Sequence, residues 1–279
     1  MPIKIVSLAP SHTEILFALG LGDQVVGITE HCDYPPEAAE KPRVGLFGRP
    51  DPAKIVSLRP DLVVASGNIP GRQGEELREA GIQVMDFLPR TVAELFVGME
   101  NIVEVAGAGK AGRDLVASLR ERVKRVEERA VPSRRPRVFF LMGEDPLTAP
   151  GPGSCQGDAL SLAGAYLITA AKVVPFVFPS WEEVAAYDPE IIIACGVAPG
   201  GLPRKRCPGC RLSNPPCVRD VSGLHRRPYL AKLTAIKRGR VYPVPCHWLC
   251  RPGPRLIDGI EKLFELFHGQ AAKECCKKS

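Results

Sequence analysis

No stretch of this chain reaches eighteen consecutive apolar residues, so no helix is predicted to cross a membrane. The first residues, MPIKIVSLAP, show no basic n-region, no apolar h-region and no cleavage site, and they run straight into a predicted strand. The expectation is therefore a cytoplasmic protein, or a periplasmic or extracellular one if a signal has been removed. Catalytic signatures are missing too. Ser154 lies in GPGSCQG, which lacks the G-x-S-x-G elbow of a nucleophilic serine. PGPGSC is rich in glycine but has no lysine following in a Walker pattern, which excludes a phosphate-cradling loop. Asp158, Glu182 and Glu183 read as caps or solvent-facing carboxylates. The basic loops PRKRCPGCR (203–211) and HRR (225–227) come without an aromatic platform or a nucleic-acid motif, so no nucleic-acid partner is predicted. A binding protein, not an enzyme, is the expectation.

What is present is ample core and many thiols. The 279 residues are 45% hydrophobic and 24% charged, enough for two domains of ordinary size. The net charge of +6 is too modest to dictate a partner. Ten cysteines are many for this length. In a reducing compartment they point to metal or redox use more than to disulfides.

Periodicity supplies the architecture. From Lys110 to Ala130 apolar residues fall at Ala111, Leu115, Leu119, Val123, Val126 and Ala130, with charged residues on the other faces. That spacing predicts one amphipathic helix of about 30 Å, a strut or an ordinary surface helix. The chain looks alike on either side of it. IVSLRPDLVVASG and VAAYDPEIIIACG share a helix, a proline, an acidic residue, an apolar run, a small residue and a glycine. Internal duplication is the reading taken, although any two βα units have something in common. The predicted layout is an N-terminal α/β lobe (1–109), a bridging helix (110–131), a C-terminal α/β lobe (132–270) with a cysteine-rich insert (200–228), and a polar tail (271–279). Ligands of such open sheets bind outside the carboxyl ends of the strands, in a cleft between the lobes. The loops predicted there are 9–13, 30–36, 45–50, 65–68, 150–156, 194–197 and 245–254. They bring Ser11, His12, His31, Gly67, Asn68, Ser154 and His247 into candidate positions.

The stretches KIVSLAPSHTEILFALGLGDQVVGITEHCDYPPEA and VGLFGRPDPAKIVSLRPDLVVASG resemble the substrate-binding proteins for cobalamin and ferric siderophores that serve ABC importers. RGRVYPV and RPGPRLIDGIEKL resemble the C-terminal end of the same family. The resemblance covers about residues 3–200 and 229–268. It implies two α/β lobes joined by one long helix, with the ligand clamped between them. It also implies contacts from Ser11, from His31 where a tyrosine is common, from Phe47 where a tryptophan is common, and from Trp248 near the end; Arg251 is a further candidate contact. Phe47 and Trp248 could cover a flat macrocycle, or could equally be core aromatics. His31 and His247 could donate hydrogen bonds, ligate a metal centre, or simply be solvated. Importer members carry a glutamate on the outer face of each lobe. Here Ala53 and Cys250 stand at the aligned positions, which would weaken docking to a basic permease.

Residues 200–228 have no counterpart in that resemblance. Cys207-x2-Cys210-x6-Cys217 lies there, Cys246-x3-Cys250 follows, and Cys195 ends the strand IIIAC. Four thiolates suit tetrahedral zinc, whereas six on loops beside a ligand site suit an iron–sulfur cluster better. Cys32 and Cys155 sit on neighbouring loops. The expectation is therefore a corrinoid-binding protein, or a binder of a related metal chelate, with an iron–sulfur centre (zinc as the alternative) at the cleft. An electron-transfer or corrinoid protein is its expected partner. Two alternatives stay open: a cytosolic iron–sulfur redox or cluster-carrier protein that has lost corrinoid binding, and an ordinary importer receptor with a zinc or disulfide staple.

Overall fold

β1 (Ile5–Ser7) and β5 (Leu62–Ala65) are short apolar runs in which every residue is buried. A strand covered on both faces reads as a continuous hydrophobic run, and these two sit in the middle of a parallel sheet of order β2-β1-β5-β6. Of the edges, β2 (Val25–Ile28) is buried except for half-buried Val26, and β6 (Gln83–Asp86) has exposed ends. In the computed structural model of the chain, residues 2–67, 69, 72–131, 134–195, 223–224 and 230–269 are described. They form two compact units.

The first unit takes in residues up to Pro89 and Ala93–Arg120. α1 (Pro10–Ala18) follows β1 after two residues, with Pro10 in its first turn, where a missing N–H costs nothing. Ser11 and Thr13, the polar residues of the first turn, do not cap it. Instead Ala9 is the cap, and the Thr13 hydroxyl lies 2.8 Å from Ser7 Oγ. β3 (Gly45–Leu46) and β4 (Arg49–Pro50) make a hairpin where only a loop was predicted. Gly45 is required there. Its φ is +107°, and a Cβ would stand 2.9 Å from the Arg49 carbonyl oxygen. α2 (Pro52–Ser57) is capped by Asp51, which accepts the Lys54 N–H. α3 (Gln73–Glu79) leads to β6, and α4 (Val92–Ala106) carries the chain towards the long helix.

α5 (Gly109–Arg129) begins in the first unit and ends in the second. Its buried stripe is Gly112, Val116, Leu119, Val123 and Val126. The spacing of three to four is the predicted one, but the stripe enters one residue later, leaving Ala111 exposed and Leu115 half-buried.

The second unit is built on a parallel sheet of order β10-β7-β12-β13. β7 (Arg137–Leu141) and β12 (Ile191–Cys195) are its buried centre, and β10 (Tyr166–Leu167) and β13 (Val241–Val244) its edges. Between β7 and α6 (Cys155–Leu162) the predicted loop is instead a pair of strands, β8 (Gly143–Glu144) and β9 (Leu147–Pro150). β11 (Phe176–Val177) joins β9 antiparallel. α7 (Trp181–Tyr187) opens on Ser180 as its cap, completed into a capping box by Glu183. α8 (Thr234–Lys237) is held at its start by Asp188, whose carboxylate accepts the Thr234 N–H at 2.7 Å. α9 (Pro254–His268) closes the unit, and the Arg122 guanidinium reaches Asp258 at 2.7 Å and Glu261 at 2.5 Å on it. The result is two α/β lobes joined by one long helix.

Candidate functional site

In the first unit the loops after β1, β2 and β5 and the β3–β4 hairpin carry the candidate residues. His31 and Phe47 are brought together. The Phe47 N–H donates to His31 Nδ1 at 2.8 Å, and the two rings meet edge to face with centroids 6.3 Å apart. A neutral imidazole that accepts at Nδ1 carries its proton on Nε2, so His31 is built as a donor. Near it, Tyr34 and Leu46 are exposed at 39% and 46%. Leu88, just past β6, is exposed as well. The Gly67 N–H donates to Asp86 at 2.6 Å, which ties the end of β5 to the end of β6. Asn68 lies outside the described residues.

Two candidates point inward instead. Ser11 is buried, and His12 is fully buried, stacked on Phe87 with centroids 4.3 Å apart. Neither ring nitrogen of His12 has a hydrogen-bond partner. Loss of hydration lowers its pKa from 6.5 to about 3, so the ring is neutral. Cys32 is also internal. Its sulfur lies 3.0 Å from the Thr13 hydroxyl and 3.3 Å from that of Thr29, and burial raises its pKa, which keeps it a thiol and not a metal-ligating thiolate.

In the second unit Ser154 is buried and its hydroxyl is engaged locally. It donates to the Gly151 carbonyl at 2.8 Å and accepts the Gly157 N–H at 3.1 Å, capping α6. After β13 a 3₁₀ turn, Cys246–Trp248, carries His247 and Trp248, with Arg251 three residues beyond Trp248. The Trp248 ring lies under the Lys262 ammonium at 5.1 Å, so one face already has a cation against it. Cys195, at the end of β12, faces Cys250 with 3.7 Å between sulfurs.

One feature of this unit escaped sequence reasoning. Val174, Phe176 and Phe178 alternate along the chain, are 42%, 43% and 65% exposed, and flank Val177, which is buried. Val173 and Pro175 are exposed too and only Phe176–Val177 is strand, so this is an exposed apolar segment around β11 and not one strand face. It is bonded to the loop before α6, since Gly151 and Gly153 donate to the Pro175 and Val174 carbonyls. The signal in the sequence is VVPFVF (173–178), an unbroken apolar run.

The sequence profile of the periplasmic binding proteins matches residues 5–246. The chain belongs to that family. A vitamin B12-binding protein of Vibrio cholerae is 29% identical over 262 residues, 93% of this chain and 87% of its own. An uncharacterized ABC transporter substrate-binding lipoprotein of Bacillus subtilis, YvrC, is 31% identical over 281 residues, 98% and 82% of the two chains. Among solved structures, the periplasmic heme-binding protein RhuT from Roseiflexus sp. RS-1 superposes with a TM-score of 0.77 at 26% identity, over 98% of this chain and all of that one. These relatives are substrate-binding proteins, not enzymes, and the chain is a binding protein as predicted.

Three expectations are corrected. The iron–sulfur cluster, with zinc as its alternative, is not supported as a cofactor. Among the described residues no three His, Cys, Asp or Glu side chains stand where they could hold a metal ion. The relatives are named for vitamin B12 and heme as ligands, not for a resident cluster. Of the six predicted ligands, Cys195, Cys246 and Cys250 are described, and Cys207, Cys210 and Cys217 lie outside the described residues, as does most of the predicted insert. The electron-transfer partner and the cytosolic redox alternative lose their support with the cluster. The cytoplasmic placement has none either, since the relatives are periplasmic or lipoprotein binding proteins.

Proposed function

We propose that this protein is the substrate-binding component of an ABC importer, and that its ligand is a corrinoid. The Val174–Phe176–Phe178 strip carries this reading. Three large apolar side chains left exposed around β11 suit a flat macrocycle and lack any use in the unit's own core. The exposed Leu46 and the half-buried Phe47 offer a comparable apolar rim in the other unit, with the His31 donor beside it. The likeness to a vitamin B12-binding protein over most of both chains supports the ligand class. Ser11, Gly67, Asn68, His247 and Arg251 are kept as candidate contacts. His12 and Ser154 are better read as supports, the one packed against Phe87 and the other capping α6.

Haem is the second reading, favoured by the equally complete match to a heme-binding protein. An importer permease is the proposed partner, met outside the cytoplasm. Ala53, where the family resemblance places a carboxylate, predicts that this docking relies on other exposed acids.

Isothermal calorimetry with cyanocobalamin and with hemin separates the readings. Saturable one-to-one binding of cyanocobalamin is the expected result. Binding of hemin alone would transfer the site to haem, and heat from neither would end the tetrapyrrole assignment.

A further inference from the structure

We propose that Cys195 and Cys250 form a disulfide that fastens the end of β12 to the segment leading into α9. This goes beyond the binding function and does not depend on the ligand. β12 and β13 run parallel, with Cys195 opposite Val244 in register. The chain leaves β13, makes the Cys246–Trp248 turn and comes back, with the Cys250 N–H donating to the Cys246 carbonyl at 2.7 Å. That return sets the Cys250 sulfur 3.7 Å from the Cys195 sulfur. Two thiols in contact are about 1.7 Å from the 2.05 Å of a bond, a gap that side-chain rotation can close.

The competing use of two neighbouring thiols is metal ligation. A tetrahedral site needs four donors. A chelator separates the two uses, since it would strip a metal from the thiolates and leave a disulfide intact. Cys195 is buried at the strand end, whereas Cys250 is half-buried and gives an oxidant its way in. In the reaction Cys250 attacks an external disulfide, displacing one thiol and forming a mixed disulfide. Cys195 then attacks the Cys250 sulfur and releases the second thiol. Two S–H bonds and one external S–S bond are replaced by one internal S–S bond. The two protons and two electrons leave with the pair of external thiols.

The link would close a loop that contains residues 200–228, and it would anchor the turn that carries His247 and Trp248. The full chain, incubated with oxidised glutathione, alkylated without reduction and digested with trypsin, tests this. The peptide 173–204, which holds Cys195 alone, should be joined to peptide 241–255, and the pair should separate on reduction. Because the second peptide also holds Cys246, the link should persist in Cys246→Ser and vanish in Cys250→Ser. Alkylation of both Cys195 and Cys250 in the oxidised wild type would overturn the proposal. So would a link from Cys195 to Cys246, Cys207, Cys210 or Cys217.

Discussion

The backbone N–H of Phe47 donates to Nδ1 of His31 across 2.8 Å. One hydrogen bond thus does two things: it pins the tip of the β3–β4 hairpin to the loop after β2, and it leaves the imidazole proton on Nε2. To coordinate cobalt or iron through Nε2, the ring would have to move its proton to Nδ1 and give up the bond to Phe47. His31 is therefore expected to hydrogen-bond a ligand acceptor and not to take an axial position. In His31→Ala the lost bond should lower stability by about 1 kcal/mol. It should weaken cobalamin binding several-fold and leave the visible spectrum of the bound corrinoid unchanged. A changed spectrum would show that the ring was a ligand to the metal.

His12 predicts a pH dependence. Burial holds its folded pKa at about 3 against 6.5 when exposed. Between those values the unfolded chain binds a proton that the folded chain does not, so stability rises with pH across this window. The contribution is complete above 6.5 and is lost as pH falls, at roughly 1.4 kcal/mol per unit. From pH 7 to pH 5 the loss comes to about 2 kcal/mol. His268, whose pKa is also lowered by desolvation, acts in the same direction, so wild type must be compared with a single variant. Urea midpoints should fall steeply over this range for wild type and clearly less for His12→Leu. Equal slopes would mean that His12 is charged or solvated in the folded state.

Gly259 tests how closely the turn after β13 approaches α9. Alanine is normally better than glycine inside a helix, by about 1 kcal/mol. Here a Cβ would stand 2.3 Å from the Trp248 carbonyl oxygen and 2.7 Å from its Cα, and backbone atoms cannot rotate aside. Forced separation of packed elements costs about 1–3 kcal/mol and outweighs the helical gain. Gly259→Ala should therefore lower the thermal midpoint by several degrees. A higher midpoint would show that the turn is free to retreat.

Much of the architecture was legible because its signals are local and redundant. Ser180 with Glu183, three residues on, announces α7, and the five buried residues of β12 announce a central strand. α5 showed itself by charge on three faces and a stripe on the fourth. The β8–β9 pair did not, because GEDPLTAPGPG has the composition of a turn, and pairing between strands of two and four residues is decided by tertiary contacts. The loops were legible as loops, but what each residue does within them was not. A serine before a helix reads the same whether it faces a ligand or caps the helix, and Ser154 caps. A histidine near a strand end reads the same exposed or buried, and His12 is buried. The cysteines misled differently. Their number suggested a cluster that nothing supports, although Cys195 and Cys250, both in the expected set, do meet at 3.7 Å.

The apolar strip offers a test in which folding and binding separate. Phe178 is 65% exposed and Phe176 43%, so neither ring supplies much of the core. Replacing either by serine should change stability by no more than about 0.5 kcal/mol, the usual range for surface positions. If the rings cover a macrocycle, each substitution removes apolar contact that water otherwise replaces, and about 1.4 kcal/mol of it corresponds to a tenfold weaker complex. Calorimetric titration of Phe176→Ser and Phe178→Ser with cyanocobalamin should then show roughly tenfold losses with unaltered urea midpoints. Val177→Ser is the control, since its buried side chain should cost stability first. Unchanged affinity in both phenylalanine variants would separate the strip from the ligand and leave it as a surface for a protein partner.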